Sequence, residues 1–333
     1  MPLYYYLFRK ERYFMEPLKF KPIFMERIWG GTALKERFGF DIPEGKKIGE
    51  LWTVSDNRTA VSVIDGGEFD GKKISDVALE FAESLYGKGK KYERFPLLIK
   101  IIDAQDKLSV QVHPDDEYAY KYENGDSGKT EMWYIIDAKP GAKLVCGLKE
   151  GTTREEFIKL LEEERLEECL KEVEVKAGDV VYIPAGMVHA IGEGILICEI
   201  QQNSDLTYRV YDYNRVDEKG RKRELHVDKA LDVIDFELKS DKIVPMFEEI
   251  KGGRIARAVE SPYFNVEIIE LAEKMEFETY DRFETLTSVE GILEVEWEEG
   301  TKVVKAGETI VIPAFVDKYK VKGKAKFLKA YVP

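Results

Sequence analysis

The sequence predicts a mainly β fold organised as two tandem β-barrels with a few short helices. Three observations carry that expectation. Short runs rich in Val, Ile, Tyr and Phe recur between Gly, Pro and Asp punctuation along most of the chain, as in a sandwich or barrel rather than in alternating β and α units. Helical periodicity is confined to three segments. One stretch, Val175-Lys-Ala-Gly-Asp-Val-Val-Tyr-Ile-Pro-Ala185, returns as Val304-Lys-Ala-Gly-Glu-Thr-Ile-Val-Ile-Pro-Ala314.

Along the chain, Met1–Phe8 is rich in tyrosine and carries its charges after the apolar stretch, unlike a secretory signal. Met15 reads as the domain start, with the 14 residues before it as an extension. Strands are expected at Ala60–Ile64, Pro96–Ile102, Leu108–Val112, Met132–Ile136, Val180–Ile183 and Gly194–Ile200. A helix over Ser75–Leu85 would place Val77, Phe81, Ala82 and Leu85 on one face, with Ser75 as its cap. A second, from Thr153 to Leu170, carries Phe157, Leu160, Leu161, Leu166 and Leu170 within a charged run that reads as a solvated face. A third, short helix is expected at Val227–Ile234.

Each copy of the repeat reads as a turn at Gly178 or Gly307, a buried strand and a Pro-marked exit. Two copies imply two related barrels rather than a solenoid. A boundary at Gly252–Gly253 would give residues 15–250, with a small helical insertion around 153–171, and residues 251–333.

Composition narrows the function. The net charge of −13 argues against a general nucleic-acid binder, whose affinity rests on clustered Lys and Arg. A small anionic substrate remains compatible, provided its site is locally basic. No segment approaches 18 consecutive apolar residues, so no membrane span is expected. Cys146, Cys169 and Cys198 are odd in number and lack metal-like spacing. That fits structural thiols in a reducing compartment and a cytoplasmic protein.

With three histidines in 333 residues, each one is informative. His113 lies in Leu108-Ser-Val-Gln-Val-His-Pro-Asp-Asp116. On a strand, Ser109, Gln111 and His113 share a face, which looks either to solvent or into a wet cavity. His189 follows Gly178-x5-Pro184-x-Gly186-x2-His189. This resembles the second cupin motif, whose His is a metal ligand inside a small barrel. In the second copy the equivalent position is Lys318, so only the first barrel is expected to bind a metal there. Two departures from the general cupin pattern are Glu193 where Asn is common and Gln111-x-His113 where His-x-His is usual.

Further motifs stand in order from about Leu18 to the C-terminus. They are Trp29-Gly-Gly, Gly49-Glu-Leu-Trp52, Pro96-Leu-Leu-Ile-Lys100, Gln111-Val-His-Pro-Asp, Gly128-Lys-Thr-Glu-Met-Trp133, and Gln202-Asn-Ser-Asp-Leu-Thr-Tyr-Arg209-Val-Tyr-Asp212. Together they resemble type I phosphomannose isomerase in its short bacterial and archaeal form. The resemblance implies tandem cupin jelly-roll barrels. It implies one Zn2+ per chain, held by Gln111, His113, Glu131 and His189. Such a set leaves the open coordination of a catalytic zinc, although Gln111, a neutral amide, could act from behind the metal instead.

The implied substrate is a sugar phosphate, with mannose 6-phosphate and fructose 6-phosphate interconverted through an enediolate. Lys100 and Ser109 would then meet substrate or phosphate. Arg209 would stabilise developing negative charge, and Glu199 would be the base with Lys129 as partner. Glu199 as an ordinary strand carboxylate stays open. His226 reads as structural, Tyr208, Tyr211 and Tyr213 as packing or rim residues, and Trp29 and Trp52 as core or cavity wall. Two other readings fit part of the set: a non-haem iron cupin oxygenase, needing two histidines and a carboxylate, and a non-catalytic metal-binding, sugar-sensing cupin.

Overall fold

The computed structural model describes residues 13–216 and 220–333. The tyrosine-rich Met1–Phe8 lies outside the described residues; of the expected extension, only Tyr13 and Phe14 are described, and both are exposed. The chain forms two compact units that interleave in sequence. A terminal unit comprises the segment ending at Ile23, Thr53–Leu98 and Pro245–Pro333. A central unit comprises Phe24–Trp52 and Ile99–Val244. The last segment of the terminal unit begins at Pro245, and Thr53–Leu98 packs with that unit, whereas a single boundary near residue 250 was expected.

Numbered along the chain, the strands that build the central unit follow the short β1 (Leu18–Lys19) of the terminal unit. They are β2 (Ile23–Gly31), β3 (Ile48–Val54), β4 (Leu97–Ala104), β5 (Val110–Val112), β6 (Glu131–Ala138), β7 (Lys143–Leu148), β8 (Leu170–Glu174), β9 (Val180–Ile183), β10 (His189–Ile191), β11 (Ile195–Gln202) and β12 (Tyr208–Tyr211). They form a six-stranded sheet, β2-β3-β4-β11-β6-β9, and a five-stranded sheet, β12-β5-β10-β7-β8. Neighbours in each sheet are mostly not consecutive in sequence, the crossing connectivity of a jelly roll.

The inner faces pack on one another. Trp133, Ile135, Ile197 and Val181 of the first sheet join Leu144, Cys146 and Ile191 of the second in one buried cluster. Strands β3, β4 and β11 are buried along their whole length, as expected for strands covered on both faces. Behind the five-stranded sheet, Val110, Val112, Ala190 and Val210 pack against Phe157, Leu160, Ala230 and Ile234. The helices thus brace the sheet from outside and leave its other face to the interior.

Both copies of the repeat fold alike. Gly178 and Gly307 adopt left-handed φ values of 92° and 88°, which a side chain would strain. Each is followed by a buried strand, β9 or Thr309–Ile312. In the terminal unit the latter belongs to a nine-stranded sheet built on the long strands Glu284–Trp297 and Lys318–Tyr331.

Three local expectations are corrected. Ala60–Ile64 makes only isolated bridges, at Val61, Val63 and Ile64. The helix expected over Ser75–Leu85 is two, Ile74–Glu80 and Ala82–Tyr86. It breaks at Phe81, whose φ of −125° and ψ of 38° are not helical, and Lys73 rather than Ser75 occupies the cap. The helix expected to reach Leu170 stops at Glu162, capped at its start by the Thr153 side chain. Glu164 then turns left-handed at φ 56°, a 3-10 turn follows at Leu166–Cys169, and Leu170 enters β8 opposite Leu148. Val227–Val233 is helical as expected.

Candidate metal centre

The five-stranded sheet brings the polar stripe to the interior. Gln111 lies directly opposite both His189 on β10 and Arg209 on β12, so the three side chains share one face. His113, just past the end of β5, is buried, as is His189. From the facing sheet, Glu131 opens β6 opposite Ile183, the residue that ends the repeat strand. The stripe therefore faces a cavity, not solvent: Ser109 and Gln111 line a space of about 460 Å³.

His113, Glu131 and His189 present donor atoms that all lie within 4.8 Å of one another. The two Nε2 atoms are 3.1 Å apart. Glu131 Oε1 lies 3.4 Å from His189 Nε2, and Oε2 lies 3.6 Å from His113 Nε2. His189 Nδ1 is 2.8 Å from the Met187 carbonyl. Assigning the ring proton to that bond turns the Nε2 lone pair inward, as a metal-binding imidazole requires. Burial pulls both histidines down, His189 to about 3, with the Lys129 charge adding to the effect on each. They are thus neutral and able to ligate at neutral pH. Burial pushes the Glu131 carboxyl up, the Glu199 charge adds to this, and Lys129 opposes it.

Glu131 Oε1 receives no hydrogen bond in this buried position. The Lys129 ammonium stands among the donors, 2.7 Å from Glu131 Oε2 and 3.0 Å from His113 Nε2. Two imidazoles and a carboxylate gathered around a buried cation fit a borderline metal such as zinc. Gln111 reaches the same cavity from the neighbouring strand.

The depressed histidine also fixes a sign. In the metal-free protein, an unfolded His189 binds a proton below its ordinary 6.5 that the folded residue accepts only near 3. Its contribution to stability is therefore present above pH 6.5 and lost as pH falls towards 3. Urea midpoints of the chelated protein are expected to fall between pH 7 and pH 5, and less steeply in His189→Asn. Equal slopes in both would contradict the buried neutral imidazole.

A second polar group adjoins the centre. The Lys100 ammonium donates to Glu199 Oε1 at 3.0 Å and Gln201 Oε1 at 2.8 Å, and lies 5.2 Å from the Trp52 ring centre. Trp133 Nε1 donates to the other Glu199 oxygen at 2.9 Å. Burial pushes Glu199 up, but the charges of Lys100 and Lys129 and these hydrogen bonds outweigh it, and the carboxyl is held well below the usual range. For Lys100, burial acts to lower the ammonium, yet Glu199, Glu50 and Asp205 leave it raised. Gln201 was not expected as a site residue. Its signal in the sequence is its position two residues after Glu199, on the same face of β11.

The cavity also exposes Arg27, Arg209 and Arg223. Arg27 is paired with Glu50 at 2.7 Å, and Arg223 with Asp212. Arg209 instead meets neutral acceptors: its Nε donates to Ser109 Oγ at 3.3 Å and its Nη1 to the Glu224 carbonyl at 2.7 Å. Its backbone N–H donates to His226 Nδ1 at 3.2 Å, and His226 N–H returns a bond to the Arg209 carbonyl at 2.8 Å. His226 thus ties β12 to the start of the helix Val227–Val233, which fits its reading as a structural residue. Trp29 and Trp52 are buried, with Trp29 on the cavity wall. Tyr208 is buried with its hydroxyl on Glu123, while Tyr213 stacks with Arg215. All three cysteines are free and buried. Among the described residues no helix is long and apolar enough to cross a membrane.

Family models agree with this geometry. The catalytic domain of type I phosphomannose isomerase matches residues 18–160, and the cupin domain of mannose-6-phosphate isomerase matches residues 254–332. The mannose-6-phosphate isomerase ManA of Bacillus subtilis is 40% identical over 317 residues, covering 95% of this chain and 99% of its own. The chain belongs to the type I phosphomannose isomerase family. A mannose-6-phosphate isomerase of Streptococcus mutans is 43% identical over 251 residues, 75% of this chain and 78% of that protein. The crystal structure of the mannose 6-phosphate isomerase from Bacillus subtilis superposes with a TM-score of 0.89 at 35% identity, covering 95% of this chain and 99% of that one. The cupin jelly-roll fold of this family of enzymes is therefore the fold of this chain.

Proposed function

We propose that the chain interconverts mannose 6-phosphate and fructose 6-phosphate by proton transfer between C1 and C2 through an enediolate. The observation that carries this reading is the buried His113–Glu131–His189 cluster beside a cavity lined by Lys100, Lys129 and Arg209. One Zn2+ would be held by His113, Glu131 and His189 with Gln111 as the fourth donor. Bound there, it supplies Lewis acidity towards the sugar's carbonyl oxygen. Arg209, whose guanidinium meets neutral acceptors among the described residues, keeps its charge for the oxyanion as it develops. Glu199, held ionised, takes and returns the carbon-bound proton. Lys129 serves the hydroxyl protons, and Ser109 with Lys100 completes the polar wall against which the substrate sits.

In this reading residues 15–250 are the catalytic cupin domain, with the helical insertion around 153–171. Residues 251–333 are a degenerate copy; the repeat and the two family-model spans support that division. Three free buried thiols suit the cytoplasm. In a coupled assay, the protein as purified is expected to form fructose 6-phosphate from mannose 6-phosphate without oxygen. Chelation should abolish turnover, and added zinc should restore it. An inactive protein of confirmed metal content would overturn the reading; oxygen-dependent turnover would favour an iron oxygenase.

A further inference from the structure

The second copy of the repeat carries more than its strand. In the central unit Ile183, which ends the strand of the first copy, pairs with Glu131. In the terminal unit the corresponding Ile312 pairs with Glu284. Glu284, fully buried, therefore holds the register position of the metal-centre carboxylate. Arg282 stands two residues before it, as Lys129 stands before Glu131. Two steps further along the strand, Lys329 lies opposite Leu286 where Glu199 lies opposite Trp133. The partner of Glu199 on the adjoining strand is Lys100, at 3.0 Å; that of Lys329 is Glu267, directly opposite at 2.8 Å. The pair is repeated with its signs exchanged.

The surroundings of Glu284 follow from that exchange. The Tyr319 hydroxyl donates to its Oε2 at 2.6 Å. Arg282 and Lys329 approach Oε1 at 3.5 and 3.6 Å, and the Arg282 guanidinium lies 3.5 Å from the Tyr331 ring centre, which fixes it in place. The imidazole donor is gone, because Lys318, where His189 would stand, has a side chain 77% exposed.

We infer that the terminal unit contains a copy of the metal centre whose adjoining ion pair is charge-inverted, so that Lys329, joined by Arg282 at the position of Lys129, compensates the buried carboxylate where the other copy has a metal ion. The comparison rests on the metal-centre reading; the pairing inside the terminal unit does not. A buried carboxylate deprived of its cation is costly; neutralising Glu284 costs less, because Lys329 keeps Glu267 at 2.8 Å and Arg282 is partly exposed.

The test is thermal unfolding of the zinc-loaded full chain, with zinc content measured alongside. Lys329→Met is expected to lower the midpoint by about 5 °C or more. Glu284→Gln, which keeps an acceptor for the Tyr319 hydroxyl, is expected to lower it by roughly 2 °C at most and to leave isomerase kcat unchanged. The double variant should be more stable than Lys329→Met alone. Lys329→Arg, which keeps the charge, guards against a variant that does not fold and should stay near the wild-type midpoint. A Lys329→Met midpoint equal to wild type, or a double variant no better than the single, would overturn the inference. A wild-type chain that holds no zinc would overturn the metal-centre reading and leave the Lys329 and Glu284 result standing.

Discussion

Arg209→Ala is expected to lower kcat by about 10²–10³-fold, the cost of removing one donor aimed at a developing oxyanion, while zinc content stays at the wild-type level. The geometry separates the two effects. Arg209 reaches the cavity from β12, across Gln111 from His189, and its side chain bonds to Ser109 and Glu224 rather than to His113 or Glu131. Its guanidinium is held by a hydroxyl and a carbonyl, so its removal leaves no buried carboxylate uncompensated and costs little stability. Lys in its place keeps a charge but loses the planar fork that bonds Ser109 and Glu224 together, so Arg209→Lys should recover only part of the rate. Metal analysis together with kcat and KM decides the matter. If turnover stayed within tenfold of wild type, Arg209 would not be the group that meets the enediolate. Loss of zinc with the rate would make it a support of the metal centre instead.

The clustering of His113, Glu131 and His189 was legible because they lie in short motifs whose periodicity is itself structural. Gln111 and His113 are two apart at the end of a strand, and His189 follows the turn, strand and Pro-marked exit of Gly178-x5-Pro184, which fix where the next strand begins. What the sequence could not show was which polar side chains are already engaged. Lys100 reads in the sequence as a cation free for phosphate, yet its ammonium is bonded to Glu199 and Gln201. That contact joins strands β4 and β11, about 100 residues apart, and no local pattern records it. Glu284 was hidden for a similar reason: its identity as a counterpart of Glu131 is a matter of register opposite Ile312. The overextended helices failed locally. Periodicity continued through Phe81 and Glu164, but the backbone at those residues leaves the helical region, as short helices do when tertiary packing outweighs propensity.

The engagement of Lys100 reverses one expected kinetic signature. A lysine that only grips phosphate would raise KM when lost. Lys100→Met is instead expected to lower kcat, because the Lys100–Glu199 pair is almost wholly buried, at 5% and 4% exposure. Without the ammonium, burial pushes Glu199 up against only Lys129 and the Trp133 hydrogen bond, and a larger share of the carboxylate is protonated at neutral pH. The sign follows. In the wild type Glu199 is held below 4.5, so its base form persists throughout the neutral range; in Lys100→Met the acid limb of kcat should move up in pH, and activity should rise towards alkaline pH. Stability should drop as well, by about 3–5 kcal/mol, because one partner of a buried pair is left alone. Glu199→Gln distinguishes the causes: it also removes the base, but no alkaline rise should follow, since no carboxyl remains to titrate. A Lys100→Met enzyme with unchanged kcat, an unshifted acid limb and a raised KM would return Lys100 to the phosphate and leave the proton to another group.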